Sequence, residues 1–273
     1  MRTVITPDLT LYDVILVNSS AGKDSQAMLD YVAELATSAG VLERVVVVHA
    51  DLGRVEWKGT RELAERQAAH YGFRFEVVTR HQGDLLNHVE DRGMWPSNKQ
   101  RFCTSDHKRG QVARVMTRLV DEEFYAEPTK RHRAIRVLNC MGIRSQESTA
   151  RAKKSPFQVD KRATNSRRHV DQWFPIFDWS VDQVWARIKA SGVEHHEAYD
   201  LGMPRLSCCF CIFAPKSALV LAGTHNRELL NEYAALEVRI GHKFRQNLAI
   251  SEVKAIVDAG QSCKAEEVES WNM

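Results

Sequence analysis

The sequence predicts an α/β fold, a parallel sheet with helices on both faces, followed by a helical C-terminal part. In the first half, short apolar runs alternate with segments of helical spacing. The apolar runs carry few polar positions, as is typical of strands that are buried on both faces. From about residue 171 the strand signals give way to helical segments rich in aromatic residues and cysteines. Together these features predict a parallel sheet and a separate helical part.

The elements follow in order along the chain. Strands are predicted at 14–17, 45–49, 73–79 and 134–141, and helices at about 24–38, 57–71 and 106–120. Further helices are predicted near 180–190, 215–223, 225–241 and 251–259. We therefore expect a nucleotide-binding domain over 1–170 and a helical, cysteine-bearing part over 171–273, packed together as one compact unit. The basic, polar stretch 145–170 reads as a connection that is mobile without a partner.

Composition narrows the class of protein. The 273 residues suffice for one large or two small domains, and no apolar run is long enough to span a membrane. The first residues do not resemble a secretion signal, so we expect a cytoplasmic protein with no membrane partner. In that compartment the six cysteines favour metal ligands or reactive thiols over disulfides.

One loop predicts an anion site. The stretch VNSSAGKDSQAML at 17–29 joins a buried strand to a helix, and its small residues let backbone N–H groups approach a phosphate. Lys23 adds a full positive charge. A Walker A loop needs Ser or Thr directly after its lysine, and a Rossmann loop needs three glycines, so neither motif fits. The remaining alternative is an ordinary helix start capped by Ser20 or Asp24.

Other candidate site residues also follow predicted strands. His49 and Asp51 come after the second strand, and Gly142 and Arg144 after the fourth. Ligands of parallel sheets bind at the carboxyl ends of the strands, so these residues and the loop predict one nucleotide site.

The cysteines predict a second site. Cys103 stands far in sequence from Cys208, Cys209 and Cys211. A single Cys and a CxxC-like cluster favour an iron-sulfur centre, while structural zinc held by all four thiolates remains an alternative. Cys140 lies in a predicted buried strand and reads as a core residue.

The order of the motifs is that of a known family. Ser20-Ala21-Gly22-Lys23-Asp24-Ser25 resembles the PP-loop, SGGxDS, with Ala21 in place of a glycine. It is followed by Arg101-x-Cys103-Thr104, Gly142-Ile143-Arg144-x-x-Glu147-Ser148-x-x-Arg151, Pro175-Ile176-x-Asp178-Trp179 and Arg205-x-x-Cys208-x-x-Cys211. Over roughly 13–215 the chain resembles the phosphoadenosine-phosphosulfate reductase superfamily, which implies an adenine nucleotide alpha hydrolase-like fold.

Two departures separate the chain from the reductases of that superfamily. Those enzymes use a cysteine in a C-terminal Glu-Cys-Gly-x-His segment, whereas this chain has Ser262-Cys263-Lys264. They also tend to lack the loop lysine, which is present here as Lys23. The chain is therefore most similar to the DNA phosphorothioation proteins of the DndC/SspD type. These are ATP pyrophosphatases that adenylate a DNA backbone oxygen so that sulfur can displace AMP.

The resemblance implies partners, cofactors and site residues. The partners are DNA, a cysteine desulfurase and other DNA-modification subunits. The alternatives are an RNA-thiolating enzyme, a PAPS or APS reductase, and a non-catalytic ATP-binding scaffold. Catalysis is assigned to Lys23, Asp24, Ser25 and Arg144, and ATP binding to Ser20, Ala21, Gly22, Lys23, Asp24, Ser25, His49, Asp51, Gly142 and Arg144. Mg²⁺ would bind the phosphates, with Asp24 or Asp51 as contacts.

The resemblance implies a cluster of the 4Fe-4S type, assigned to Cys103, Cys208 and Cys211, with Cys209 as a fourth ligand or persulfide carrier. Three protein ligands leave one iron position for sulfur. Nucleic-acid contacts are assigned to Lys153, Lys154, Arg167 and Arg168 in the basic stretch.

Overall fold

The computed structural model describes residues 6–126 and 132–261. They divide into two compact units. The sheet unit runs to Ala50 and includes Arg61–Val78 and Gln111–His195; the helical unit comprises Asp51–Thr60, Thr79–Gly110 and the described residues from His196 onward. Each unit therefore combines segments that are separated in the sequence.

The sheet unit is built on six strands in the order β3-β2-β1-β4-β6-β5. All neighbouring strands pair in parallel except β5 and β6, which pair antiparallel. The strands are β1 Val14–Ser19, β2 Val45–Ala50, β3 Arg74–Val78, β4 Ile135–Met141, β5 Phe157–Val159 and β6 Arg168–Trp173.

Ten α-helical segments accompany the strands within the described residues. They are α1 Lys23–Ala39, α2 Thr60–His70, α3 Leu85–Arg92, α4 Phe102–Thr104, α5 Gly110–Ala126, α6 Thr149–Ala152, α7 Val181–Ser191, α8 Lys216–His225, α9 Arg227–Ile240 and α10 Ile250–Asp258. One π-helical turn, Ser105–Arg109, links α4 to α5. None of the helices described has the length and apolar character needed to cross a membrane.

Both faces of the sheet are covered, as the sequence predicts. Along β1, Ile15 and Val17 face a core that includes residues of α1 and α7. Val14 and Leu16, which alternate with them, face a second core that includes residues of α5. The four predicted strands and all seven predicted helices are found within a few residues of their expected bounds. The α/β fold class is thus confirmed.

The stretch 145–170 differs from its prediction as a mobile connection. It contains α6 and β5 and leads into β6, which pairs with β4. Arg168 and Asp171 of β6 are both buried, and Asp171 accepts a hydrogen bond from Tyr12 Oη at 3.0 Å. The division between units also differs from the expected one at residue 170. Because β6 completes the sheet and α7 packs on α1, the sheet unit extends to His195.

The helical unit has an aromatic core of its own. Trp95 stacks on Tyr233 with ring centroids 5.1 Å apart, and Phe244 meets the Trp95 ring edge-on at 5.3 Å. Phe210 packs against Tyr233 in the same cluster. Because Phe210 lies between Cys208 and Cys211, this core anchors the CxxC-like segment itself.

Candidate nucleotide site and cysteine cluster

The loop between β1 and α1 has an unusual backbone at Ala21. Its φ is +54°, and no other non-glycine residue described has a positive φ. The residue is fully buried, and its N–H donates to Ser19 Oγ at 3.2 Å. An alanine in this region costs on the order of 1 kcal/mol relative to its usual backbone. The loop thus keeps the strained turn even though a glycine is missing.

Ser25 closes the loop. Its hydroxyl donates to the Gly22 carbonyl oxygen at 2.9 Å and accepts the Ser20 N–H at 3.2 Å. Gly22 is the N-cap of α1, and its carbonyl also accepts the Gln26 N–H at 2.9 Å. Ser25 therefore shapes the loop, and α1 starts directly behind it with its positive dipole end.

Three charged side chains stand at the start of α1. Lys23 is only 5% exposed, and its Nζ lies 3.9 Å from Asp24 Oδ2. On its other oxygen, Asp24 accepts a hydrogen bond from Arg144 Nε at 2.5 Å. Two buried cations thus share one carboxylate. These cations and the positive end of the α1 dipole together suit an anion such as a pyrophosphate.

Arg144 is held by the neighbouring motifs. Its Nη1 donates to the Trp179 carbonyl oxygen at 3.3 Å, and its backbone N–H donates to Glu147 Oε2 at 2.9 Å. Glu147 is buried and also pairs with Arg151. The two motifs around residues 142–151 and 175–179 therefore form one hydrogen-bonded support for a single guanidinium group.

Gly142 and His49 position the loop from neighbouring strands. A Cβ added at Gly142 would lie 2.9 Å from the carbonyl carbon and oxygen of Asp24, so only glycine fits there. His49 is buried at the end of β2, and its Nδ1 lies 3.0 Å from the Ser19 carbonyl oxygen. Asp51 belongs to the helical unit, where its Oδ1 accepts the Gly53 N–H at 2.7 Å.

The structure gathers three of the four candidate cysteines. Cys103, Cys208 and Cys211 pack half-buried against the core of the helical unit, and their thiols interact electrostatically with one another. Cys209 is instead part of that core, and burial raises the pKa of its thiol to about 12. Its backbone N–H donates to the Val55 carbonyl oxygen. Cys209 therefore reads as a packing residue within the described helical unit.

Lys108 interacts electrostatically with all three of these cysteines, a feature that the sequence pattern does not predict. Burial alone would lower the pKa of this ammonium group, but Cys208, Glu56, Cys103 and Cys211 outweigh burial, and the pKa is raised. Burial in turn raises the pKa of the Cys208 and Cys211 thiols, and Lys108 opposes the shift. A cation at this position favours thiolates, the form that binds metals.

A metal site is not preformed among the described residues. Across residues 6–126 and 132–261, no three His, Cys, Asp or Glu side chains converge on a position for one metal ion. Zinc held by four thiolates would require Cys209, which lies in the core.

The basic stretch contributes less free charge than its sequence suggests. Arg168 is buried, and it donates to the Ala163 carbonyl oxygen at 2.7 Å and to Thr117 Oγ1 at 2.8 Å. Arg167 pairs with Asp121 at 3.0 Å. Lys153 and Lys154 are exposed. The side chain of Arg168 therefore supports the sheet unit, and Lys153 and Lys154 are the exposed members of the predicted nucleic-acid set that form no ion pair within the described residues.

A buried histidine pair is a second feature that the sequence analysis misses. His88 Nδ1 lies 3.0 Å from His107 Nε2, and both side chains are buried in the helical unit. Burial, and then His88, lower the pKa of His107 to about 4. The two residues come from α3 and the π-helical turn, and a π-turn has no sequence signature that would bring them together.

These features agree with a family assignment made on sequence. The model described as the phosphoadenosine phosphosulfate reductase domain matches residues 14–214. The chain belongs to this family. The match begins at the first residue of β1 and ends beyond Cys211, so it includes the loop, the Gly142–Arg144 segment and the three gathered cysteines.

Individual relatives of this reductase-domain protein share part of its length. An uncharacterized 37.8 kDa protein of Escherichia phage 186 is 34% identical over 128 residues, which cover 47% of this chain and 34% of that protein. The adenosine 5'-phosphosulfate reductase of Allochromatium vinosum is 27% identical over 161 residues, or 59% of this chain and 56% of the relative. The chain thus spans between about a third and just over half of these relatives.

One solved structure is also similar to part of the chain. The phosphoadenylyl-sulfate reductase of Candida auris, crystallised with phosphate, superposes with a TM-score of 0.46 and 15% identity, covering 73% of this chain and 83% of that one.

Proposed function

We propose that this reductase-domain protein is an ATP pyrophosphatase that adenylates an oxygen of a nucleic acid for sulfur insertion, with the DNA backbone as the first candidate. The observation that carries the proposal is the buried Lys23 at the start of α1, beside the Asp24–Arg144 pair. A substrate with a triphosphate would place negatively charged phosphate oxygens beside this lysine. Its leaving pyrophosphate would lie in the loop, where Lys23 and the helix dipole stabilise the developing charge.

The adenylation step is a displacement at the alpha phosphorus of ATP. A backbone oxygen of the polymer attacks the alpha phosphorus of ATP, the bond from that phosphorus to the bridging oxygen breaks, and pyrophosphate leaves with the electron pair. Arg144 would neutralise the alpha phosphate. Asp24 would contact Mg²⁺ directly or through water, since carboxylate oxygens suit this ion.

The sulfur step follows on the activated polymer. A sulfide-level sulfur attacks the activated phosphorus, and AMP leaves with the electron pair of the broken P–O bond. A desulfurase delivers sulfur as a persulfide, so the step also consumes an electron pair from a thiol reductant. Cys103, Cys208 and Cys211 are the residues that would hold an iron-sulfur cluster, which would supply an open coordination position for sulfur.

The curated relatives favour a second candidate, reduction of a sulfonucleotide, because the Allochromatium vinosum relative is named as an adenosine 5'-phosphosulfate reductase. That chemistry needs a nucleophilic thiol to attack the sulfate sulfur. The sequence candidate for it, Cys263, lies outside the described residues. RNA thiolation shares the ATP chemistry of the first proposal and differs in the polymer and in the oxygen that is adenylated, which is a base carbonyl.

Labelled substrates separate these functions. ATP labelled at the alpha phosphorus is incubated with DNA or with RNA, without desulfurase, and label that remains on the polymer is counted. The proposal expects label on DNA with the wild type and little with Lys23→Ala. Label on RNA alone would identify RNA thiolation. Release of sulfite from adenosine phosphosulfate, with no label on either polymer, would contradict the proposal in favour of a reductase.

A further inference from the structure

A strongly basic cavity lies in the helical unit, apart from the stretch that the sequence singles out as basic. Its volume is about 590 Å³, and it is formed by the end of α3, the segment that follows, and the turn after α4. Four cationic side chains and a single carboxylate line it: Arg92, Lys99, Arg101, Arg109 and Asp106. The cavity wall also includes Phe102, the residue before Cys103.

The four cations have no carboxylate partners among the described residues. Several other arginines of the chain form ion pairs: Arg74 and Arg118, for example, share Glu76 and Glu122. In the cavity, the one carboxylate, Asp106, accepts a hydrogen bond from Ser105 Oγ at 2.5 Å. The cavity therefore concentrates positive charge that the protein itself does not balance.

Aromatic side chains hold two of the guanidinium groups. The Arg92 group lies over the Phe102 ring at 4.8 Å from its centroid, and Arg101 lies over Phe213 at 4.7 Å. Stacking restrains a guanidinium but leaves its N–H groups at the edges available to acceptors. Arg92, Lys99, Arg101 and Arg109 are all exposed, so an anion reaches them from solvent.

The cavity suits a chain of phosphates better than one small anion. Sites for small anions are usually enclosed and use backbone N–H groups or buried side chains, whereas these four cations are exposed and spread over eighteen residues of sequence. A nucleobase would need an open aromatic face, but Phe102 is buried and Arg92 lies over it. Contacts of this type bind backbone phosphates and carry no sequence information.

We propose that this cavity binds the backbone phosphates of the nucleic-acid substrate beside the Cys103 segment. The inference rests on the proposed function for the identity of the polymer. It locates the polymer site on the helical unit, next in sequence to a cysteine assigned to sulfur handling.

The test is a salt titration of binding to a fluorescein-labelled DNA single strand, followed by anisotropy. The cavity variant is Lys99→Gln/Arg109→Gln, which leaves both stacked arginines in place. The matched control is Lys161→Gln/Arg162→Gln, also one exposed lysine and one exposed arginine without an ion pair in the described chain. Each lost phosphate contact lowers the slope of log K against log salt by about 0.7 on a single strand.

The cavity variant is expected to lose affinity by more than about tenfold near 0.1 M salt and to show the smaller slope, while the control matches the wild type. Equal losses in both variants, or no loss in the cavity variant, would overturn the inference. So would full displacement of the strand by inorganic phosphate at an ionic strength held constant with chloride, which would indicate a small-anion site.

The outcome is separable from that of the proposed function. The products that the wild type makes from ATP test the function, and the slopes test the cavity. If the wild type forms ADP and the slopes differ, the cavity proposal stands and the proposed function is wrong. If the wild type forms AMP and the slopes do not differ, the proposed function stands and the cavity proposal is wrong.

Discussion

Gly142 lies so close to Asp24 that a Cβ on the glycine would be 2.9 Å from the Asp24 carbonyl carbon and oxygen, and 3.0 Å from the Ser25 nitrogen. The end of β4 therefore supports the first turn of α1 directly. The anion site depends on this approach, because Lys23 and Asp24 stand on that turn.

Gly142→Ala should displace the start of α1, weaken ATP binding by about tenfold or more, and destabilise the fold by about 1–3 kcal/mol, the usual cost of overpacking. Calorimetry with ATP and urea unfolding measure the two effects. The control is Gly241→Ala, at a positive φ with open space around the added Cβ. It should cost about 1 kcal/mol of stability without affecting ATP affinity. Unchanged ATP affinity in Gly142→Ala would show that the loop does not need this contact.

Ala21 should tolerate glycine but not a β-branched residue. Glycine adopts a φ of +54° without strain. Valine at this φ would add about 1–2 kcal/mol of backbone strain. We expect Ala21→Gly to bind ATP as the wild type does, and Ala21→Val to lose binding and stability together. Equal ATP affinities for the two variants would mean that the turn relaxes to another backbone conformation when it is substituted.

The buried His88–His107 pair predicts acid sensitivity of the helical unit. The pKa of His107 in the fold is about 4, lowered by burial and by His88, against an ordinary 6.5. Between these two pKa values the unfolded chain binds more protons than the folded one. The free energy of unfolding is therefore unaffected by this group above pH 6.5 and decreases as the pH drops toward 4. The limiting slope for one proton is about 1.4 kcal/mol per pH unit.

Urea unfolding at a series of pH values measures this loss. His107→Gln keeps a group that can hydrogen-bond to His88 and removes the titration, so its stability should depend less on pH in that window. His70→Gln, which removes an exposed histidine, is the control and should follow the wild type. A His107→Gln profile that runs parallel to the wild type would assign the acid sensitivity to other groups.

We propose that Cys103, Cys208 and Cys211, whose thiols interact with one another and with Lys108, hold an iron-sulfur cluster. Anaerobically purified protein should then contain iron and sulfide and absorb broadly in the visible range. Cys103→Ala should lose the iron. Cys140→Ala, which changes a core cysteine in β4, should retain it. Elemental analysis of the three proteins decides the matter, and stoichiometric zinc without iron in the wild type would contradict the cluster.

Much of the sheet and of the nucleotide loop could be predicted because local sequence determines them. β1, β2 and β4 are apolar runs, and the loop follows the first of them. β6 was not predictable in this way, because Arg168 and Asp171 read as surface residues until their distant partners, Thr117 and Tyr12, are known. Residues close together in the fold but far apart in sequence escape a local pattern.

Some residues of the candidate site could likewise be predicted from the sequence, and others could not. The three cysteines could be singled out by residue type, but the core position of Cys209 and the place of Lys108 follow only from the packing of the helical unit. Conversely, Arg168 looks like a free cation in the sequence and is used inside the fold. Whether a charged side chain is available to a ligand depends on its neighbours in the fold, and these cannot be read from sequence spacing.

We propose that Lys23 stabilises the pyrophosphate that leaves when ATP is cleaved between its alpha and beta phosphates. Phosphorus NMR of the products formed from ATP and Mg²⁺ in the presence of DNA tests it most directly. The account predicts AMP and pyrophosphate with the wild type, and a rate about 100-fold lower with Lys23→Ala, the scale expected for one lost transition-state charge contact. ADP and inorganic phosphate as the main products, or an unchanged rate in Lys23→Ala, would contradict it.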